Sequence, residues 1–258
     1  MTKPINLKQK LLKKELTIGS WLSWGFSPMT EVMARSGFEW LVVDMEHTAI
    51  DYSEAHQMIQ TIDLAGCVPL VRVGANDPLI IKRVLDCGAH GILVPMINSV
   101  EDARSAVDAA YYPPKGKRGV GLSRAQNYGI GFQSYRERAI KETVVIVQIE
   151  HIQGVENLKE ILSVDGVDGF IIGPYDLSAS LGQPGNFDHP DVIKALNRVT
   201  DIMNNSNKPG GYHVVSTRQE ELQKRIKEDY RFIAYGDDMV MFAEKVRDET
   251  DFIKSYKV

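Results

Sequence analysis

Short apolar runs recur along the chain at 18–24, 39–44, 68–72, 90–94, 143–149, 168–172, 210–214 and 231–235, each followed by a stretch of helical spacing. The runs are mostly continuous in their apolar character, as parallel strands packed on both faces require. Eight strand–helix units close a (β/α)8 TIM barrel. An open doubly wound sheet would show the same alternation. Against it, no G-x-G-x-x-G or G-x-x-x-x-G-K-[ST] segment follows any of the runs, so the phosphate-binding turn of a nucleotide site is missing. The pattern predicts an α/β fold, a single (β/α)8 barrel domain over residues 1–258.

Punctuation between the runs supports this. Ser27-Pro28 predicts an N-cap and first helical residue, with Met29, Val32 and Met33 sharing a face and Gly37 ending the helix. Asp77-Pro78 repeats the device before Ile80, Ile81, Val84 and Leu85, and Gly88 is the stop. Ser99 with Asp102, and Ser216 with Gln219, have the spacing of capping boxes. One connection breaks the rhythm. About thirty residues, beginning Tyr111-Tyr112-Pro113-Pro114, separate the helix ending near Tyr112 from the strand at 143, a length that points to function or disorder.

Composition narrows the class. A chain of 258 residues, 43% hydrophobic and 25% charged, suits one globular unit. A formal net charge of -4 without long like-charge runs offers no surface for nucleic acid or membrane. The lysine-rich stretch Lys8 to Lys14 reads as the solvated face of a first helix. Cys67 and Cys87 have apolar or small neighbours and no CxxC spacing, which fits reduced core thiols in a cytoplasmic protein. Residues 1–6 lack the apolar stretch of an export signal, and no run approaches the roughly 20 residues that cross a bilayer.

In such a barrel the chemistry lies at the C-terminal strand ends, and these are polar. Asp44-Met45-Glu46-His47 follows the second run, Arg72 ends the third, Gln148 and Glu150 close the fifth, and Gly173-Pro174-Tyr175-Asp176 follows the sixth. Buried together, such charges cost stability unless they pair or hold a metal. Glu150 and Asp176 end neighbouring strands, and two carboxylates completed by water and a bidentate ligand suit octahedral Mg²⁺ or Mn²⁺, with Co²⁺ a further option. Each acid alone also fits a salt bridge or cap. Arg72 can meet an anionic ligand or a developing enolate oxygen, or form a rim salt bridge with Asp44 or Glu46. His47 can form an acid/base pair oriented by Asp44, three residues earlier, or be a loop residue. Glu46 could support the site or face a neighbouring subunit, and His151 could stand behind Glu150 or on the surface. His56, His90, His189 and His213 make no zinc spacing; His56 reads as helix surface and His189 as loop. Lys141, Lys159 and Lys208 are not placed as Schiff-base nucleophiles would be, which favours a metal over a lysine mechanism.

The chain resembles the HpcH/HpaI aldolases, or class II pyruvate aldolases, from about Ile18 to Phe242. The resemblance is carried by GFEWLVVDMEHTAID, VPLVRV, NDPLIIKRVLDCGAHGILVPMI, YPPKGKRGVG, VQIEHIQGVENL and VDGFIIGPYDLSASLGQPGN. It implies a barrel of the phosphoenolpyruvate/pyruvate-domain type that reversibly cleaves a 4-hydroxy-2-oxo acid into pyruvate, or a similar 2-oxo acid, and an aldehyde. It implies a divalent metal on Glu150 and Asp176, pyruvate chelated to it, Arg72 at the enolate oxygen, and His47 with Asp44 moving protons. Gln148, Gly173, Pro174 and Tyr175 would bind substrate. It also implies a homo-oligomer, a hexamer built as a trimer of dimers that exchange a C-terminal helix. Departures from the family pattern stand at Met45, where glycine is common, at Tyr175, where a small residue is common, and at His151, where serine or threonine is common. The seventh run reads Gly210-Gly211-Tyr212-His213-Val214 in place of a G-I-L-x segment. These surround the substrate, so they bear on specificity. The alternatives are a citrate-lyase β or malyl-CoA type lyase, an oxaloacetate decarboxylase, and a non-catalytic barrel that binds a 2-oxo acid.

Overall fold

The computed structural model describes residues 5–256. Residues 1–4, part of the segment read above for an export signal, and residues 257–258 lie outside it. In chain order the first half comprises α1 (Leu7–Leu12), β1 (Thr17–Leu22), α2 (Ser27–Arg35), β2 (Trp40–Asp44), α3 (Tyr52–Leu64), β3 (Val68–Arg72), α4 (Pro78–Asp86), β4 (Gly91–Val94) and α5 (Val100–Ala110). The second half comprises a 3₁₀ turn (Arg124–Gln126), α6 (Phe132–Glu142), β5 (Val144–Ile149), α7 (Ile152–Glu156), α8 (Leu158–Ser163), β6 (Gly169–Ile172), α9 (Pro174–Ser180), α10 (Pro190–Asn204), β7 (Gly210–Val214), α11 (Gln219–Lys227), β8 (Phe232–Asp237) and α12 (Asp238–Lys254). The eight strands pair in sequence order, all parallel, and β8 closes on β1. This is the (β/α)8 barrel that the eight apolar runs predict.

Continuity of the runs follows from burial on both faces. Trp40, Val42, Val68, Leu70, Leu93, Val144, Ile146, Ile171, Phe232 and Ala234 fill the barrel interior, where Trp40 stacks on Phe232 at 4.1 Å. Intervening residues such as Leu41, Val43, Val71, Ile92, Val145 and Val147 face the helices in a second, larger cluster. The interior is therefore a packed core with no pore.

At the N-terminal end of the strands the helix α1 closes the barrel, and here the reading of Lys8 is corrected. Leu7 and Leu11 join the interior cluster, and the turn between them carries Lys8 inside, 7% exposed. Its ammonium donates to Tyr111 Oη at 2.7 Å, the Thr143 carbonyl at 2.7 Å and Asp168 at 2.9 Å. All three ammonium donors are thus satisfied. Asp168 also accepts from the Val145 amide at 2.9 Å. Desolvation lowers the Lys8 pKa and raises that of Asp168, each against the pull of its partner.

Several predicted stops and caps are present. Gly37 and Gly88 follow their helices with φ of 103° and 107°. Asp77 caps α4, accepting from the amides of Leu79 and Ile80. Ser99 accepts from the Asp102 amide, but Asp102 returns its bond to Asn98, so the box is displaced by one residue. Other expectations fail. The cap of α2 is Phe26, with no side-chain bond, and Val32 is 61% exposed while Thr30, Met33 and Ala34 face inward. The cap of α11 is Arg218, so Ser216 and Gln219 form no box. The long connection is also less open than its composition suggests, because α6 fills its last third. Both cysteines are free thiols. Burial pushes the Cys67 pKa up to about 12. Among the described residues no helix is long and apolar enough to cross a membrane.

Candidate active site

The C-terminal ends of β2 and β3 are in register, with Asp44 opposite Arg72. Neighbouring positions on adjacent parallel strands point to the same face, so their side chains meet. Arg72 donates through Nε to Asp44 Oδ1 at 2.8 Å and through Nη2 to Oδ2 at 2.6 Å, a bidentate pair. Burial alone would push the Asp44 carboxyl up, but the Arg72 bonds and charge, with the amides of Glu46 and His47, hold it below the usual range. The third guanidinium nitrogen lies 3.1 Å from Glu46 Oε2, yet the angle makes no hydrogen bond and that oxygen is buried without a partner. Burial raises the Glu46 carboxyl, Arg72 offsets part of this, and the negative charge of Glu150 adds to the rise. The guanidinium also sits 5.1 Å from the Trp21 ring centroid, on β1, and Trp21 stacks on His213 of β7 at 4.7 Å with 16° between planes.

A second group follows β5 and β6, and its Glu150 lies close enough to the first to act on the charges of Arg72 and Glu46. Glu150 is 3% exposed and accepts from the Met96 amide at 2.7 Å and from Gln148 Nε2 at 2.5 Å. Met96 reaches this position with φ of 54°, a left-handed conformation that costs about 1–3 kcal/mol in a residue with a side chain. A Cβ at residue 173 would stand 3.0 Å from Glu150 Oε2, so Gly173 leaves room beside that carboxylate. Pro174, Tyr175 and Asp176 form the first turn of α9, and Asp176 is exposed. Tyr175 is 62% exposed and meets Phe187 edge-on at 5.0 Å.

Glu150 would offer a divalent cation one buried carboxylate, and Asp176 is an exposed acid on the first turn of α9. Among the described residues no cation lies within ion-pair distance of the buried Glu150, whose protein partners are neutral donors, and Asp176 makes no ion pair or hydrogen bond through its side chain. Asp44, Glu46 and Glu150 share the charge of one Arg72. A buried carboxylate in that setting favours a cation beside it. No group of three or more His, Cys, Asp or Glu converges among the described residues, so protein donors would supply part of the coordination and ligand oxygens the rest.

The expected pairing of His47 with Asp44 is corrected. Asp44 is committed to Arg72, and the His47 imidazole lies instead 3.6 Å from Glu46 Oε2, largely exposed. His151 caps α7, its Nδ1 accepting from the Gln153 amide at 3.1 Å, and His189 caps α10. Sequence reasoning passed over Trp21 and the Met96 amide, and met His213 only as part of the unusual seventh run. Trp21 and His213 each sit near the C-terminal end of a strand at an inward position, a signal that counting by twos from Gly19 and Gly211 would have found. Two grooves of about 660 and 680 Å³ lie between outer helices, beside α8 and α10 and beside α4 and α5, and contain none of these residues.

A closed parallel barrel with an arginine locked among carboxylates at its C-terminal rim has its polar groups where enzymes of this fold place their active sites. The family model described as HpcH/HpaI aldolase/citrate lyase matches residues 18–244, and the chain belongs to that family, an enzyme of class II aldolase type. It is 35% identical over 251 residues to the 5-keto-4-deoxy-D-glucarate aldolase of Escherichia coli O139:H28 (strain E24377A / ETEC), covering 97% of each chain. An HpcH/HpaI aldolase/citrate lyase family protein from Burkholderia cenocepacia J2315 superposes with TM-score 0.91 at 33% identity, over 97% of this chain and 100% of that one. The HpcH/HpaI aldolase of Desulfitobacterium hafniense DCB-2 does so with TM-score 0.87 at 28% identity, over 96% of each. The enzyme class sets aside the non-catalytic reading.

Proposed function

We propose that the protein reversibly cleaves a 4-hydroxy-2-oxo acid into pyruvate, or a similar 2-oxo acid, and an aldehyde, with a divalent cation on Glu150 and Asp176. The observation that carries this reading is the buried Glu150, supported only by neutral donors and facing an Arg72 fixed by Asp44. Similarity to a 5-keto-4-deoxy-D-glucarate aldolase supports deoxy-keto sugar acids as the substrate class. Mg²⁺, Mn²⁺ and Co²⁺ all suit the oxygen donors. Such a cation, when bound, supplies positive charge to the carboxylate and keto oxygens of the 2-oxo acid.

The chain's own groups then divide the remaining tasks. Arg72 is held in place before substrate arrives, so its charge meets the developing enolate oxygen without reorganisation. Loss of the proton from the C4 hydroxyl sends the C3–C4 electron pair to C3 and the 2-oxo carbon, leaving an aldehyde and an enolate. His47 moves that proton, with Glu46 behind it in place of Asp44, and returns one to C3. Gln148 orients Glu150, while Gly173, Pro174 and Tyr175 border the space for the substrate carboxylate and aldehyde.

Assembly is part of the same proposal. α12 buries only Asp238, and Met239, Phe242, Val246 and Ile253 form an exposed stripe at i, i+3, i+7 and i+14. An apolar stripe of this kind supports a homo-oligomer, and we take its form to be a hexamer, a trimer of dimers with α12 exchanged between subunits. A cytoplasmic setting for small-molecule chemistry completes the reading. The test is pyruvate release, coupled to a reporter enzyme, from a panel of 2-oxo-3-deoxy sugar acids and 4-hydroxy-2-oxo diacids. Release is expected with added Mn²⁺ or Mg²⁺ and none after chelation; release that ignores the chelator would overturn the metal assignment.

A further inference from the structure

We infer that Asn157 is a positioning residue for Glu150, acting through the β4–α5 turn whose Met96 amide holds that carboxylate. The inference rests on the reading of Glu150 as a metal ligand and deepens it: the ligand's orientation is set by a brace that shares no hydrogen bond with Glu150 itself.

Glu150 is held from two sides. Gln148, two residues back in the chain, donates through Nε2 to Oε2, and the Met96 amide, from the turn after β4, donates to Oε1 at 2.7 Å. The second bond is the one that comes from another strand's turn, so the shape of that turn decides where Oε1 points. Met96 makes the bond in a left-handed conformation, φ 54°, with its side chain half exposed. Such a conformation is unfavourable for a residue with a Cβ and persists where its surroundings leave no alternative. The constraint lies in the residues that follow.

Each of them is fixed. The Ile97 amide donates to the Gln148 carbonyl at 3.3 Å, and the Ile97 side chain is fully buried. The Asn98 amide donates to Asp102 Oδ2 at 3.1 Å, and the Asn98 carbonyl accepts from Asn157 Nδ2 at 2.8 Å. Asp102 belongs to α5, into which the turn leads, so its bond is local. Asn157 stands 59 residues on in the chain, between α7 and α8, and ties the turn to the segment that follows Glu150. The two segments can approach because residue 154 is glycine: a Cβ there would stand 2.8 Å from the Ile97 carbonyl oxygen and 3.2 Å from Asn98 Oδ1. Loss of the Asn157 bond frees the turn to relax out of the left-handed region, and the Met96 amide then leaves Oε1. A carboxylate ligand that loses an orienting hydrogen bond binds its metal about 10- to 100-fold more weakly.

The experiment combines Asn157→Ala with Met96→Gly and reads Mn²⁺ affinity from the electron paramagnetic resonance signal of the free ion. Asn157→Ala is expected to raise the Mn²⁺ Kd about tenfold. Glycine adopts the left-handed conformation without steric penalty, so at position 96 it does not need the brace. Met96→Gly should therefore bind Mn²⁺ as the wild type does, and Asn157→Ala/Met96→Gly should recover most of the loss. A purely structural role for Asn157, such as joining α7 to α8, would be indifferent to residue 96. A second readout needs no metal: hydrogen exchange of the residue 96 amide, followed by NMR in the metal-free proteins and corrected for intrinsic rate, should quicken in Asn157→Ala and slow again in the double variant. Asn157→Ala that binds Mn²⁺ as tightly as the wild type, or a double variant no tighter than Asn157→Ala, overturns the proposal. A wild type that binds no Mn²⁺ defeats the metal reading itself, and the amide exchange then decides the brace alone, with unchanged protection in Asn157→Ala counting against it.

Discussion

Glu150→Gln is expected to lose turnover by on the order of 10³-fold or more while the barrel stays folded. The glutamine amide matches the carboxylate in shape. Its carbonyl can still accept from the Met96 amide, and a rotated Gln148 amide can accept from its nitrogen, so both present partners of Glu150 remain satisfied. What is removed is a negative charge. Without metal that charge is repelled by Glu46 and attracted by Arg72, so the two effects oppose each other and the metal-free variant should melt close to the metal-free wild type. Metal should separate the two proteins. At a hundredfold excess over its Kd, Mn²⁺ stabilises a folded protein by about 2.7 kcal/mol, roughly 5–10 °C in Tm for a chain of this size. The wild type should show that rise and the variant should not. Calorimetry with and without Mn²⁺, beside the pyruvate assay, checks both parts. Normal turnover, or an undiminished Mn²⁺ shift, would remove Glu150 from the site.

The barrel was legible because its strands are apolar on both faces, so each run stands out from the amphipathic helices around it. Run 68–72 matches β3 and run 210–214 matches β7, residue for residue. Local signals carry local structure well, as at Asp77, whose cap depends on residues two and three places on. They fail where distant residues decide. Asp44 and His47 are three apart in sequence, but β3 lays Arg72 beside Asp44 through strand register, and the bidentate guanidinium takes both carboxylate oxygens. His213 carries no motif. Its place comes from Trp21, about three quarters of the chain away, and from the Gly236 carbonyl oxygen 3.1 Å from its Nε2. Lys8 is the extreme case, since its three acceptors lie on residues 111, 143 and 168.

Lys8→Met should therefore cost about 3–5 kcal/mol of stability, the usual result of removing one partner of a buried ion pair, or roughly 6–20 °C in Tm. Methionine fills most of the volume that lysine leaves, so packing beside Leu7 and Leu11 survives and the loss is electrostatic. Tyr111 keeps its own bond to the Thr143 carbonyl, whereas Asp168 keeps the Val145 amide and loses its cation. Its carboxyl, already raised by burial, rises further. The pH dependence follows in sign. A group whose folded pKa is raised contributes stability that is present at low pH and lost as pH climbs through that pKa. The deficit of Lys8→Met relative to wild type should thus be greatest near neutral pH and narrow as pH falls toward about 5. Replacing the stranded acid as well, in Lys8→Met/Asp168→Asn, should recover part of the loss, because the pair is coupled. Urea unfolding of four proteins, the wild type, Lys8→Met, Asp168→Asn and the double variant, at two pH values reads all of this; Lys8→Met as stable as wild type, or a double variant no better than the sum of its singles, would show that the base of the barrel does not depend on the pair.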